Sequence, residues 1–319
     1  MLSAYASILS AVVPIFLLLL VGWGFRKREW LKTSADNSLR VLIVNVFAPC
    51  LIFSFIAGND AVKDPVNLGL PPILGFISIA GGFALAYAAG KWFGLEVGTG
   101  RRTFAFTSGI YNYGFVPIPL AIALFPGDTG TLGVLMVFNV GVEIAIWSLG
   151  IVLISGKLTK DSFKQLLNAP LMAVILALLT NAVGLDAHIP LWFERLIEML
   201  GACYVPLGII LAGAILADHT TQSGLLRPFR VPAAACLFRL LLLPMLLILP
   251  ALTLNLSTEL TKILIIQAAM PAGIFPLVLT RHFGGDTKVA VQVILTTTLV
   301  SLITIPLWIV LGLWLTGLV

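Results

Sequence analysis

The sequence predicts an all-α polytopic membrane protein with ten transmembrane helices, arranged as two inverted five-helix repeats in which helices 4 and 9 are broken and cross. Three observations predict it. Apolar runs long enough to cross a bilayer recur from end to end, basic residues collect in alternate loops, and one tripeptide recurs half a chain later in the opposite charge setting.

Of the 319 residues, 59% are hydrophobic and 10% charged, whereas soluble domains carry about 25% charged residues. A helix needs about 20 apolar residues to cross a hydrocarbon core of about 30 Å. Such runs fall at about 7–25, 36–57, 70–92, 103–124, 131–154, 169–187, 195–216, 231–254, 260–282 and 288–315. The sixth and seventh are the least sharply bounded, because "GLDAHIPLWFERLIEML" also suits an interfacial helix. A transmembrane β-barrel would show alternating segments of about ten residues, and that pattern is absent. The first run has no Lys or Arg before Arg26, whereas a signal peptide carries its positive charge first, so the run is expected as span 1. Cys50, Cys203 and Cys236 all fall inside runs, which argues for apolar packing and against a disulfide framework or a thiolate metal site.

The net charge of +5 is explained by its distribution and calls for no nucleic-acid partner. Loops after odd-numbered spans hold Arg26, Lys27, Arg28, Lys32, Lys91, Arg101, Arg102, Lys157, Lys160, Lys164, Arg227, Arg230, Arg281 and Lys288; loops after even-numbered spans hold Lys63, Arg195 and Lys262. The positive-inside bias then predicts a multi-pass protein of the plasma (inner) membrane with cytoplasmic basic loops and both termini outside.

Ten spans divide into five plus five, and an odd number of crossings inverts the second set. Gly127-Asp128-Thr129 recurs as Gly285-Asp286-Thr287, 158 residues later; the first copy has no basic neighbours, the second is flanked by Arg281 and Lys288. A weaker echo relates Pro49 in "VFAPCLIFSFIAG" to Pro206 in "CYVPLGIILAGA". The expected units are residues 1–154 and 169–319, joined by an amphipathic cytoplasmic connector over 155–168, where Leu158, Phe163, Leu166 and Leu167 alternate with Lys157, Lys160 and Lys164.

Applied to the breakers, the same offset sets "YNYGFVPIPLAIALF" beside "QAAMPAGIFPLVLTRHFG". Pro117 and Pro119 leave the carbonyls of Tyr113 and Phe115 without helical donors, and Pro271 and Pro276 do the same to those of Gln267 and Ala272. In hydrocarbon such backbone survives only against protein or a water-filled cavity. The second half-helices are expected to begin near Pro119 and just after Pro271, with proline in the first turn. Their free N–H groups and positive dipole ends favour an anion, and paired broken helices in two inverted halves point to a transporter's substrate site. The candidate substrate-binding residues are therefore Asn112, Tyr113, Gly114, Pro117, Pro119, Met270, Pro271, Ala272 and Gly273, with the amides Asn45 and Gln267. Pro14, Pro244, Pro250 and Pro306 are isolated and expected only to kink their helices.

Glu143 is the one carboxylate deep inside a sharply bounded span, which makes it a functional candidate. Asn139 lies one turn away, and the two positions correspond by the offset to Thr297 and Ser301. Glu143 suits a proton carrier, a cation ligand or a structural partner for Arg239, so H+ or Na+ coupling stays open, with no cofactor expected. Arg40, near the end of span 2, is expected to snorkel.

"VVPIFLLLLVGWGFRKREWL", "VFAPCLIFSFIA", "YNYGFVPIPLAIALF", "AAMPAGIFPLVL" and "TTTLVSLITIPLWIVL" resemble the successive signatures of the auxin efflux carrier family of permeases, essentially from end to end. The resemblance implies an inverted-repeat fold similar to that of bile-acid and sodium/proton carriers. It implies a scaffold of spans 1, 2, 6 and 7, a moving unit of spans 3–5 and 8–10, a homodimer joined through the scaffolds, and elevator-type alternating access. It also implies an organic anion substrate, auxin-like or malate-like. Asn112, Gly114 and Pro119 match the family's Asn-x-Gly…Pro pattern, and Met270-Pro271 matches the second crossover. Pro117 stands where Gly is common and Pro276 is additional, which weakens any transfer of substrate identity.

Other classes fit less well. No HExxH helix, nucleophile elbow or paired carboxylates for a metal-bound diphosphate occur, and His188, His219 and His282 are scattered, so an enzyme is not expected. The closer rival is a sodium-coupled carrier of bile-acid type with the same architecture, and a passive channel is the more distant one.

Overall fold

The computed structural model describes residues 2–98, 100–157, 167–219 and 229–318. Most of the connector expected over 155–168 lies outside the described residues. Among those residues the chain is helical: α1 (Leu2–Lys27), α2 (Thr33–Ile56), α3 (Pro65–Phe93), α4 (Arg101–Gly109), α5 (Pro117–Leu124), α6 (Thr129–Ser155), α7 (Ala169–Ala182), α8 (Leu191–His219), α9 (Arg230–Thr253), α10 (Thr258–Ala269), α11 (Phe275–His282) and α12 (Thr287–Leu315). Seven of these, α1, α2, α3, α6, α8, α9 and α12, are long and apolar enough to cross a membrane.

The ambiguous stretch after residue 184 resolves into a short turn of helix at Asp186–His188 and the first half of α8. That segment continues into Tyr204–His219 through Cys203.

Helix starts are marked by residues able to accept from unpaired N–H groups. Asp64, Asn168 and Ser257 accept from the N–H groups of Val66, Leu171 and Leu260. The repeated tripeptide belongs to this set. Asp128 accepts from Thr131 N–H at the head of α6, and Asp286 accepts from Val289 N–H at the head of α12. Both copies of Gly-Asp-Thr therefore start the long helix that follows a broken one.

Lipid tails give apolar helices no reason to associate, so close packing through small residues has to supply the contact. A Cβ on Gly141 would lie 1.8 Å from the Pro72 carbonyl oxygen, and one on Gly75 2.3 Å from that of Phe138, so α3 and α6 touch backbone to backbone. Gly22 and Gly213 do the same for α1 and α8, each 2.0 Å from an opposing carbonyl oxygen.

Three long helices open into π-turns at Ile43–Phe47, Ile146–Gly150 and Phe238–Leu242. In α9 the cause is visible. Pro244 denies a donor to the Leu240 carbonyl, and Trp308 Nε1 donates to it at 2.7 Å instead. Asn45, Trp147 and Arg239 sit in these three turns.

The fourth and ninth apolar runs are each interrupted as expected, but the restart points shift. The second half of span 4 begins at Pro117, not near Pro119. The second half of span 9 begins at Phe275, four residues beyond Pro271. Pro276 explains the latter: with its fixed φ and missing N–H it suits the first turn of a helix, so the unwound stretch extends until it is reached.

Candidate functional site

The two unwound stretches cross and bond to each other. Asn112 N–H donates to the Pro271 carbonyl at 2.9 Å, Gly273 N–H donates to the Ile110 carbonyl at 2.9 Å, and Tyr111 pairs with Ala272 in an isolated antiparallel bridge. Prolines and glycines stop these segments from being helix, and the partner segment supplies the missing bonds that a low-dielectric interior demands.

The carbonyl that Pro117 strips of its donor is satisfied by side chains. Tyr113 O accepts from Asn139 Nδ2 at 3.0 Å and from Gln267 Nε2 at 3.3 Å, one amide from each half of the chain. On the other strand Ala272 N–H donates to Thr297 Oγ1 at 3.2 Å. Thr297 corresponds to Asn139 by the 158-residue offset, so equivalent positions brace both strands. Ser301, the counterpart of Glu143, bonds only locally to the Thr298 carbonyl. Asn112 Oδ1 accepts from Val116 N–H at 3.3 Å and so caps the start of α5.

Beside the crossing lies a cavity of about 560 Å³, within the range of small-molecule sites. Of the expected site residues, Asn45, Asn112, Tyr113, Gly114, Asn139, Glu143 and Gly273 line it. Pro117, Pro119, Met270, Ala272 and Gln267 do not; Pro117, Met270, Ala272 and Gln267 are buried in the packing and Pro119 is half-buried. Pro271 faces a small crevice on the other side of the crossing, shared with Asn112. The rest of the wall is apolar, from Val44, Leu51 and Ile52 on α2 to Val174 on α7. It extends to the helix ends at Arg40, Asn168 and His282. Arg40 donates to Asn37 Oδ1 at 2.6 Å and so sits at the mouth of the cavity.

Glu143 is engaged on both oxygens. Tyr113 Oη donates to Oε1 at 2.5 Å and Trp147 Nε1 to Oε2 at 2.7 Å. The ion pair with Arg239 entertained from the sequence is not formed. Arg239 is 1% exposed, lies over the Tyr111 ring at 5.1 Å, donates to the Ala268 carbonyl at 3.4 Å, and leaves its Nε without a hydrogen-bond partner. Tyr111 also shares a 2.7 Å hydrogen bond with Ser78. Among the described residues no three His, Cys, Asp or Glu side chains come together as a metal site.

Sequence reasoning missed Trp147 and Tyr204. The first was within reach, since a residue four after Glu143 shares its helix face. Tyr204 stands two residues before Pro206, as Phe47 does before Pro49, and it stacks on Phe115 with ring centroids 4.9 Å apart in the cavity wall. Trp147 in turn meets Phe275 edge to face at 5.9 Å.

The sequence model of a family described as membrane transport protein matches residues 7–309. The chain belongs to that family. This is the auxin efflux carrier grouping that the broken-helix motifs resemble. Its relatives include an uncharacterized transporter of Methanothermobacter thermautotrophicus, 26% identical over 93% of this chain and 96% of that protein. Another is the uncharacterized transporter YfdV of Escherichia coli, 20% identical over 93% of this chain and 95% of that one. In this membrane transport protein the stretches "YNYGFVPIPLAIALF" and "AAMPAGIFPLVL" meet at the crossing.

Proposed function

We propose that this membrane transport protein is a secondary transporter of a small organic anion, bound in the cavity beside the crossing. The observation that carries the reading is the backbone pairing of Tyr111 with Ala272. It holds the first turns of α5 and α11 at one point, and residues next to both starts, Gly114, Phe115, Ile274 and Phe275, line a single cavity. Two helix N-termini then add their dipoles at the same place, which favours a carboxylate. The apolar walls and the Phe115–Tyr204 stack suit the carbon skeleton of such a ligand.

In this reading α4–α5 and α10–α11 each make one interrupted crossing, giving ten spans in two inverted sets of five. The scaffold is α1, α2, α7 and α8; the moving unit is α3–α6 with α9–α12. Elevator motion slides the crossing, with its cavity wall from α5, α6 and α11, past the scaffold wall of α2, α7 and Tyr204, and two scaffolds join as a homodimer. With the basic loops in the cytoplasm of a plasma-membrane protein, the helix ends at Arg40, Asn168 and His282 face inward. On the opposite side Asn59 Nδ2, at the end of α2, donates to the Thr129 carbonyl at the head of α6 at 2.7 Å. That bond ties scaffold to moving unit and must break for the site to open outward.

Reconstitution in liposomes with a panel of labelled mono- and dicarboxylates, with and without sodium and proton gradients, tests the reading. Saturable uptake with counterflow is expected for at least one anion. Transport of neutral or cationic solutes with no anion carried would refute it.

A further inference from the structure

The cavity wall carries a carboxylate at the place where an anion is to bind, and this conflict recurs at every cycle. Glu143 Oε2 accepts from the Trp147 indole N–H, a group that can only donate, so a proton arriving at Glu143 goes to Oε1. There the neighbour is the Tyr113 hydroxyl, which donates and accepts equally well. While Glu143 is ionised, the hydroxyl proton points at Oε1 and its lone pairs face away. Once Oε1 is protonated the bond reverses: Oε1–H donates to Tyr113 Oη, and the hydroxyl proton is released towards the cavity. The other titratable or charged groups on the cavity wall are Tyr111 from the unwound stretch before α5, Tyr204 from α8, Arg40 from α2 and His282 from α11.

We propose that each organic anion is carried together with one proton held on Glu143 Oε1, and that the Tyr113 hydroxyl couples the two by turning its own proton from the carboxylate to the substrate. This deepens, and rests on, the transport reading above. The proton comes from water on the loading side, forms one O–H bond at Oε1, and returns to water on the release side. A bound anion adds negative charge, and the proton on Glu143 removes one unit of it, which lowers the cost of carrying the loaded site through the membrane.

The test uses the purified protein with malate as probe, titrated calorimetrically from pH 6 to 9 in two buffers of different ionisation enthalpy. The wild type is expected to take up about one proton per malate on the alkaline limb, with affinity weakening about tenfold per pH unit there, as linkage to a single proton requires. Glu143→Gln is expected to bind malate with no pH slope and no proton uptake. Tyr113→Phe, which leaves Glu143 in place, is expected to flatten the slope as well. Malate binding by the wild type with a flat pH profile and no proton uptake would overturn the proposal while leaving the transport reading intact. A retained slope in Glu143→Gln would also overturn it. Failure of every carboxylate in the liposome screen would instead remove the transport reading beneath it.

Discussion

Asn112 N–H lies 2.9 Å from the Pro271 carbonyl oxygen, a bond between two prolyl-broken segments that are 159 residues apart in the chain. The Asn112 side chain simultaneously caps Val116 at the start of α5. Asn112→Ala is expected to cut carboxylate uptake about tenfold, the factor equivalent to about 1.4 kcal/mol, with membrane insertion unchanged. Pro271→Ala restores a backbone donor and lets α10 wind past Ala269, so a comparable loss is expected. Uptake per inserted molecule measures both, and wild-type rates would show that the crossing geometry is dispensable.

Asn139 and Gln267 share one acceptor, the Tyr113 carbonyl. Each single alanine substitution leaves the other donor in place and is expected to cost at most about 1 kcal/mol. The double variant orphans a buried carbonyl, at about 1–3 kcal/mol, so its loss should exceed the sum of the singles. Thermal unfolding in detergent completes the cycle, and strict additivity would argue against the shared acceptor.

Gly141 has no room for a methyl group, because the Pro72 carbonyl oxygen would lie 1.8 Å from it. Gly141→Ala is expected to destabilise by about 1–3 kcal/mol through forced separation of α3 and α6. Gly24→Ala, where nothing lies within 4 Å of the new atom, serves as the control and should match or exceed wild-type stability. Equal melting temperatures for all three proteins would contradict the backbone contact.

Asp128 in the loop before α6 lies 2.7 Å from Lys262 of α10. Partial burial raises its pKa, but hydrogen bonds from Lys262 and Thr131 and the nearby lysine charge outweigh this and hold the pKa below the usual carboxylate value. A depressed folded-state pKa contributes stability that is full above the unfolded value of about 3.9 and is lost as pH falls through the folded one. The pair is partly exposed, so about 0.2–1 kcal/mol is at stake. Asp128→Asn keeps a capping oxygen and should melt slightly below wild type near pH 6, with the gap closing below about pH 4. A gap that is constant with pH would assign the effect to capping alone.

Much of the position of the two breaks was legible in the sequence because prolines act locally. Pro117, Pro119, Pro271 and Pro276 each constrain their own residue and the carbonyl four back, so the two breaks could be placed to within a few residues before any packing was known. Their exact ends were not legible. Whether Pro271 or Pro276 begins the half-helix depends on where the unwound chain finds partners, and those partners lie on the other broken segment.

The roles of the amides were not legible for the same reason. Gln267 was a candidate for substrate contact and Asn139 for polar support beside Glu143, yet both donate to Tyr113 O, across 154 and 26 residues of chain. Glu143 could have paired with Arg239, yet it turns to Tyr113 and Trp147 because those side chains share its face of the cavity. The sequence by itself determined the apolar runs, the alternation of basic loops, the recurrence of Gly-Asp-Thr and the two breaks, all of which follow from composition and short-range backbone sterics. Only the tertiary structure decided which orphaned backbone group each polar side chain serves and which of them are left facing the cavity, because in a low-dielectric core those pairings are fixed by which helix faces meet.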